Sequence, residues 1–228
     1  QTSDDERVAF LPLCHIAERL IGAYSALLSG ATLNFVESPD TFAENVREVA
    51  PHILFAVPRV WEKFYSGIHI AVKDAGRVQQ LAYGWALATG RAVADRVLAR
   101  QPVPLGLKLR YGLADRLVLG NVRRMLGIHR ARALLCGAAP IAPELIRWYL
   151  SLGVPMLEGW GMTETCAYGT LTQPYDIHPG CIGPAATGVQ MRIDSQTGEM
   201  QTRGPHVFMG YLNLPDKTAE AFTADGWF

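Results

Sequence analysis

The sequence predicts an α/β fold, a parallel sheet with flanking helices, followed by a β-rich subdomain. Short apolar runs of strand length alternate with stretches of helical spacing from Val8 to Leu157. The run Val154 to Leu157 leads into Gly159-Trp160-Gly161-Met162-Thr163-Glu164-Thr165, which sets glycines, hydroxyls and a carboxylate at a strand's carboxyl end, where parallel sheets bind ligands. Beyond about Tyr175 the alternation stops. The expected division is 1–174, an α/β unit with a long helical insertion at about 64–127, and 175–228, a β-rich, barrel-like unit that is truncated.

Composition bounds the function. At 228 residues the chain can bury a substantial core. Lys plus Arg and Asp plus Glu both total 21, so no net field favours nucleic acid or an anionic membrane, and any polyanionic partner is expected to be small. Cys14, Cys136, Cys166 and Cys181 form neither a C-x-x-C pair nor a disulfide scaffold, which fits reduced thiols and a cytoplasmic location. Gln1 to Arg7 is polar and acidic, unlike a signal peptide. No uncharged apolar run approaches the ~18 residues of a membrane span, while peripheral membrane contact stays open. With no initiator methionine, and an end on Trp227-Phe228 just past an Asp225-Gly226 turn signal, the sequence reads as an excised piece. Such a piece is expected to expose apolar surface and to self-associate.

The elements follow in order. Val8 to Leu13 is a short apolar run capped by Pro12, Ile16 to Leu28 has helical spacing, Gly30 stops the helix, and Thr32 to Val36 reads as a strand. This is a parallel crossover with His15 at its first strand-to-helix junction, where substrates are commonly met, although the residues alone favour a helix N-terminal histidine that bonds locally. Asp40 to Ala50 is a helix ended by Pro51, and Ile53 to Val57 is a buried strand closed by Pro58-Arg59-Val60-Trp61-Glu62-Lys63. From Phe64 to Gly127 the pattern is helical, interrupted by Gln101 to Pro104. Its arginines, among them Arg110, Arg116, Arg123 and Arg124, read as solvated faces of amphipathic helices, with a basic patch for a phosphate or a lipid surface as the alternative.

Ala131 to Cys136 is the next strand and ends in Gly137-Ala138-Ala139-Pro140, small residues that let a flat ring or an acyl chain lie on backbone. A tight turn into the helix near Pro143 fits them too. Cys136 has no base beside it in any motif, so a nucleophilic role is set aside. Later, Val189 to Ile193, a turn at Asp194 to Gly198, and Glu199 to Arg203 read as a hairpin.

The residue types of the stretch from Gly159 to Thr165 suit a nucleotide phosphate with its metal. The glycines let backbone approach a ligand, Trp160 offers a stacking face, Thr163 and Thr165 can donate to phosphate oxygens, and Glu164 is a hard oxygen ligand of the kind Mg²⁺ takes beside substrate phosphates. A turn with Trp160 in the core and Glu164 in solvent accounts for the same residues.

Gly159-Trp160-Gly161-Met162-Thr163-Glu164-Thr165 resembles the signature of the adenylate-forming (AMP-binding) superfamily, which includes acyl-CoA synthetases, firefly luciferase and the adenylation domains of peptide synthetases. Leu11-Pro12-Leu13-Cys14-His15, the small-residue loop at Gly137, Thr202-Arg203-Gly204-Pro205, Gly210-Tyr211 and Ala224 to Phe228 are similar to other family segments in the same order. Val57-Pro58-Arg59-Val60-Trp61-Glu62-Lys63 and the long helical insertion resemble the long-chain fatty acyl-CoA synthetase group.

The resemblance implies an ATP-dependent long-chain fatty acid CoA ligase that uses ATP, Mg²⁺ and CoA and forms an acyl-adenylate and then a thioester. It implies catalytic roles for His15, Thr163 and Glu164, with Glu164 on the metal. It implies a nucleotide site formed by Gly137, Ala138, Ala139, Glu158, Gly159, Trp160, Gly161, Met162 and Thr163. Small-molecule partners follow (long-chain fatty acid, ATP and CoA), and no nucleic acid. Where the family commonly has Ser-Gly-Gly-Ala-Pro, Cys136 and Ala138 depart from it, Ala138 by a methyl in place of a hydrogen. The family's Ser/Thr/Gly-rich phosphate loop, its ribose aspartate and its C-terminal lid resemble nothing here, so the piece is expected to be inactive alone. Two alternatives stand beside this reading: a ligase that hands the acyl group to a carrier protein, and a non-catalytic nucleotide-binding or assembly module.

Overall fold

In the computed structural model, which describes residues 1–228, the α/β reading holds. Strand β1 (Glu6–Ala9) leads through a loop into helix α1, whose first half, Glu18–Tyr24, is π-wound and whose second, Ser25–Ser29, is α-helical. Gly30 ends α1 in the left-handed conformation, which an L side chain resists. β2 (Thr32–Phe35) then pairs with β1 in parallel, Glu6 opposite Thr32. After α2 (Phe42–Val49), β3 (Ile53–Ala56), β4 (Ala133–Cys136) and β5 (Met156–Trp160) form a parallel array, with Leu54 opposite Leu134 and Leu134 opposite Met156.

The His52 N–H donates to the Glu6 carbonyl at 3.0 Å, which lays β1 beside β3. β1 and β2 form a two-stranded sheet of their own, and β3, β4 and β5 belong to a second; with the two set side by side the strands run 2-1-3-4-5, and the winding direction reverses between β1 and β3. Open α/β sheets bind ligands at such a reversal.

The insertion between β3 and β4 is helical apart from its connections, with the predicted interruption at Gln101 to Pro104 present. Helix α3 (Pro58–Asp74) begins at Pro58, earlier than the sequence pattern predicts, because proline is well placed in a helix's first turn. Helix α4 (Arg77–Leu98) follows; α5 (Leu105–Ala114), a π turn (Asp115–Leu119) and α6 (Gly120–Leu126) then run on without a break. Helix α7 (Pro143–Ser151) connects β4 to β5.

The core lies between the sheet and these helices. Leu54, Leu134, Ile146 and Met156 are fully buried there. Three large side chains fasten the layers through hydrogen bonds. Trp61 Nε1 donates to the Ala56 carbonyl at 3.0 Å, Tyr149 Oη to the Trp61 carbonyl at 2.9 Å, and Trp148 Nε1 to Tyr83 Oη at 3.1 Å. Each such bond satisfies a polar atom that burial would otherwise leave costly. The strand ends where the cavity opens are thereby held rigid.

Beyond β5 the direction changes. β6 (Thr170–Leu171) pairs antiparallel with β5, with Trp160 opposite Thr170. β7 (Gln190–Ile193) and β8 (Met200–Arg203) form the expected hairpin, its turn bonded by Asp194 Oδ1, which accepts from the Gln196 and Thr197 N–H groups. A short helix, α8 (Pro215–Ala221), follows. No helix is long and apolar enough to cross a membrane.

Candidate active site

A cavity of about 580 Å³ opens at the carboxyl ends of β3, β4 and β5, beside the reversal point. That volume is ordinary for a small-molecule site. Its walls differ in chemistry. One is apolar and comes from α1, with Ile16, Leu20, Ile21 and Tyr24; another is the ends of β4 and β5, with Gly137, Ala138, Gly159 and Trp160. Gly161, Met162, Thr163 and Glu164 form the polar corner, and His15 lies across from them at the start of α1.

Buried charges that the sequence reading passed over hold the α1 wall. Glu18 lies inside and accepts the Phe10 and Leu11 N–H groups at 3.2 and 3.1 Å, fixing the loop that carries His15. Arg7, also buried, reaches from β1 to the Ile21 carbonyl exposed by the π turn and to Ser25 Oγ. An arginine at the edge of an apolar strand run, just before Val8, was the available signal. His15 Nδ1 accepts the Ala17 N–H at 3.2 Å. Its Nε2 is therefore the nitrogen that carries the proton in the neutral ring and can donate into the cavity.

The turn after β5 has its own internal reasons. Met162 N–H donates to Thr165 Oγ1 at 3.0 Å, and Thr165 Oγ1 donates back to the Met162 carbonyl at 3.2 Å. Thr165 is fully buried and its hydroxyl is engaged by the turn, so of the two threonines only Thr163 lines the cavity. Gly161 serves the same turn. A Cβ there would stand 2.4 Å from the Ala167 carbonyl carbon, so what approaches Gly161 closely is the chain itself. Trp160 lies on the cavity wall with its ring against Gly169, where a Cβ would come within 2.6 Å of it.

Two predicted contributors stand off the cavity wall. Ala139 is exposed beyond Ala138. Glu158 is buried on the far side of the strand, accepts the Gly180 N–H at 3.1 Å, and has its carboxyl pushed above the usual range by burial. Cys136 lines the cavity, yet burial, with Glu158 nearby, pushes its thiol up to about 12, so it stays protonated.

Glu164 is the candidate metal ligand. No three His, Cys, Asp or Glu side chains gather into a cage anywhere in the chain. A single carboxylate on a cavity wall suits Mg²⁺, which keeps its waters and is held by one or two carboxylates together with substrate phosphates. Tyr211 Oη donates to Glu164 Oε1 at 2.9 Å, a contact with no precedent in the sequence reading.

The family model described as AMP-binding enzyme matches residues 1–212. The chain belongs to this family. AMP-binding relatives include a Mycobacterium tuberculosis H37Rv protein named as a fatty-acid–CoA ligase, fadD11, 37% identical over 224 residues that take in 98% of this chain and 39% of that one. The long-chain-fatty-acid–CoA ligase ACSBG2 of Xenopus laevis is 33% identical over 229 residues, 96% of this chain and 30% of the relative. The chain thus spans 30% to 39% of the length of these curated relatives. Among solved AMP-binding folds, the N-terminal domain of FACL13 from M. tuberculosis superposes with a TM-score of 0.65 at 20% identity, covering 100% of this chain and 47% of that one. ATP-bound MatB from Rhodopseudomonas palustris gives 0.61 at 24%, over 100% and 37%. At those identities the likeness speaks for the fold: the α/β architecture of acyl-CoA synthetase N-terminal domains.

Proposed function

We propose that the chain is the central part of the adenylating domain of an ATP-dependent fatty acid–CoA ligase with long-chain acids as substrates. The observation that carries the reading is a single cavity with an apolar α1 wall facing a Thr163–Glu164 corner. An alkyl chain fits the first surface and a polyphosphate the second.

In the proposed reaction a carboxylate oxygen attacks the α-phosphorus of ATP, the bond to the β-phosphate breaks, and pyrophosphate leaves. The CoA thiol then attacks the acyl carbon of the acyl-adenylate, its proton passes to solvent, and AMP leaves with the electron pair. One anion must approach another, so the protein's task is to supply preorganised positive ends of dipoles. The Thr163 hydroxyl donates to a phosphate oxygen, and His15 Nε2–H donates to the carboxylate or the departing phosphate. Trp160, Gly137 and Ala138 offer the flat surface for adenine. Glu164 is the residue that would hold Mg²⁺, whose charge, when bound, screens the phosphates.

The test is calorimetric titration of the 228-residue chain with a nonhydrolysable acyl-adenylate mimic and Mg²⁺. Saturable binding, weakened by Trp160→Ala and by Glu164→Ala, supports the reading. Binding indifferent to both substitutions, or none at all, sinks it for this cavity.

A further inference from the structure

The α1 residues on the cavity wall recur at four-residue steps: Ile16, Leu20, Tyr24 and Leu28, with Ile21 and Ser25 beside them. A plain α-helix does not keep such a row on one side. Four residues overshoot a turn by about 40°, so Leu28 would stand about 120° round from Ile16. The π-wound segment Glu18–Tyr24 takes that overshoot back, because its turns are wider. The whole length of α1 thereby faces one cavity.

Two buried charges of opposite sign hold this winding. The Ser25 N–H donates to the Leu20 and Gly22 carbonyls and passes over the Ile21 carbonyl, its ordinary α-helical partner. Arg7 Nη1, reaching from β1, donates to that carbonyl and to Ser25 Oγ at 2.7 Å. Glu18 fills the room over Gly22, where a Cβ would collide with its Oε1, while its Oε2 ties down the Phe10 and Leu11 N–H groups. π winding is rare. It persists here because both charges find their partners in it.

The geometry points to Arg7 as a positioning residue that sets the acyl chain length the cavity accepts. It acts through α1: its hold on the Ile21 carbonyl keeps Tyr24 and Leu28, at the end of the helix remote from His15, on the wall. Without that hold the segment is expected to tighten toward α winding. The far half of α1 then turns off the cavity, and Ile16, next to His15, stays in place. The reacting end of an acyl group keeps its surroundings, and the far end of a long one loses them. The inference rests on the reading of the cavity as an acyl-adenylate site.

The experiment is calorimetric titration of the 228-residue chain with nonhydrolysable acyl-adenylate mimics that carry acetyl, octanoyl and palmitoyl groups. Each methylene withdrawn from apolar contact costs about four-fold. With several withdrawn, Arg7→Met should weaken the palmitoyl mimic by about ten-fold or more, the octanoyl mimic less, and leave the acetyl mimic as tightly bound as before. Arg7→Lys, which can still donate to the Ile21 carbonyl, should recover part of the loss. Should Arg7→Met fail to fold because Glu18 is left unanswered, Arg7→Met with Glu18→Gln removes both charges and keeps an acceptor for the Phe10 and Leu11 N–H groups. The same dependence on chain length is expected of it. Equal weakening of all three mimics, the mark of a merely structural role, overturns the proposal, as does an unchanged palmitoyl affinity. A parent chain that binds none of the three overturns the cavity reading instead, and this inference with it.

Discussion

Tyr211 Oη donates to Glu164 Oε1 at 2.9 Å, while the N–H of Phe208, three residues earlier, donates to the Glu164 carbonyl at 2.7 Å. One short stretch thus holds Glu164 by its backbone and by its carboxylate. Tyr211 is itself set by its N–H to Thr218 Oγ1 at 2.9 Å and by the Phe208 ring, edge-on at 4.8 Å. The neighbouring carboxylate pushes the Tyr211 hydroxyl's pKa up, so it remains a donor.

Removing that donor should loosen Glu164 without disturbing the cavity's shape. Tyr211→Phe is expected to weaken Mg²⁺-dependent binding of an acyl-adenylate mimic by about three- to ten-fold, the scale of one partly exposed charge-assisted hydrogen bond. Metal-free binding should hardly change. Titrations with and without Mg²⁺ separate this from general destabilisation, which would weaken both.

Glu158 gives a pH prediction. Burial raises its folded-state pKa, so the native state holds the proton more tightly than the unfolded chain. The stability tied to the protonated form is complete below the unfolded value and is lost as pH rises through the folded value. Glu158→Gln keeps an acceptor for the Gly180 N–H and removes the charge. It should melt higher than the parent at pH 8 and equally at pH 4. It should also bind the adenylate mimic as the parent does, because Glu158 is off the cavity wall; weaker binding would restore it to the nucleotide site.

The parts of this molecule that sequence alone discloses are those governed by local rules. Apolar periodicity disclosed the strand–helix alternation, and a glycine-rich turn after a buried strand disclosed the cavity's polar corner. Contacts between distant segments were not legible: Tyr211 is 47 residues from Glu164, and nothing in either segment announces the other. Thr165 misled because its hydroxyl serves the turn that contains it. The cationic stretch was legible only as an alternative to solvated helix faces, since a total of 21 against 21 averages away the stretch between Asp95 and Glu144, which carries nine against one.

Cysteine reactivity should follow environment. With its thiol pushed up to about 12, Cys136 has almost no thiolate at pH 8, whereas Cys14 and Cys181 are exposed. Iodoacetamide at pH 8 should label Cys14 and Cys181 first, as read by peptide mass spectrometry, and Cys136 only after unfolding. Early labelling of Cys136 would show a more open, more polar cavity than this one.

Ala138 ties the sequence's departure from its family to backbone geometry. Its φ is +70°, in the left-handed region where a Cβ crowds the carbonyl that follows, at a cost of about 1–2 kcal/mol. Glycine would relieve that strain but lose about 0.5–1 kcal/mol to its greater freedom in the unfolded chain. Ala138→Gly should therefore stabilise the fold by roughly 0.5–1 kcal/mol, measured by urea denaturation with an unchanged slope. The same change removes a methyl from the cavity wall. If that methyl contacts a bound ring, the more stable variant should bind the adenylate mimic less tightly. Stability and affinity moving in opposite directions would identify the methyl as a binding contact held at the expense of backbone strain; both rising together would mean that the ring lies elsewhere.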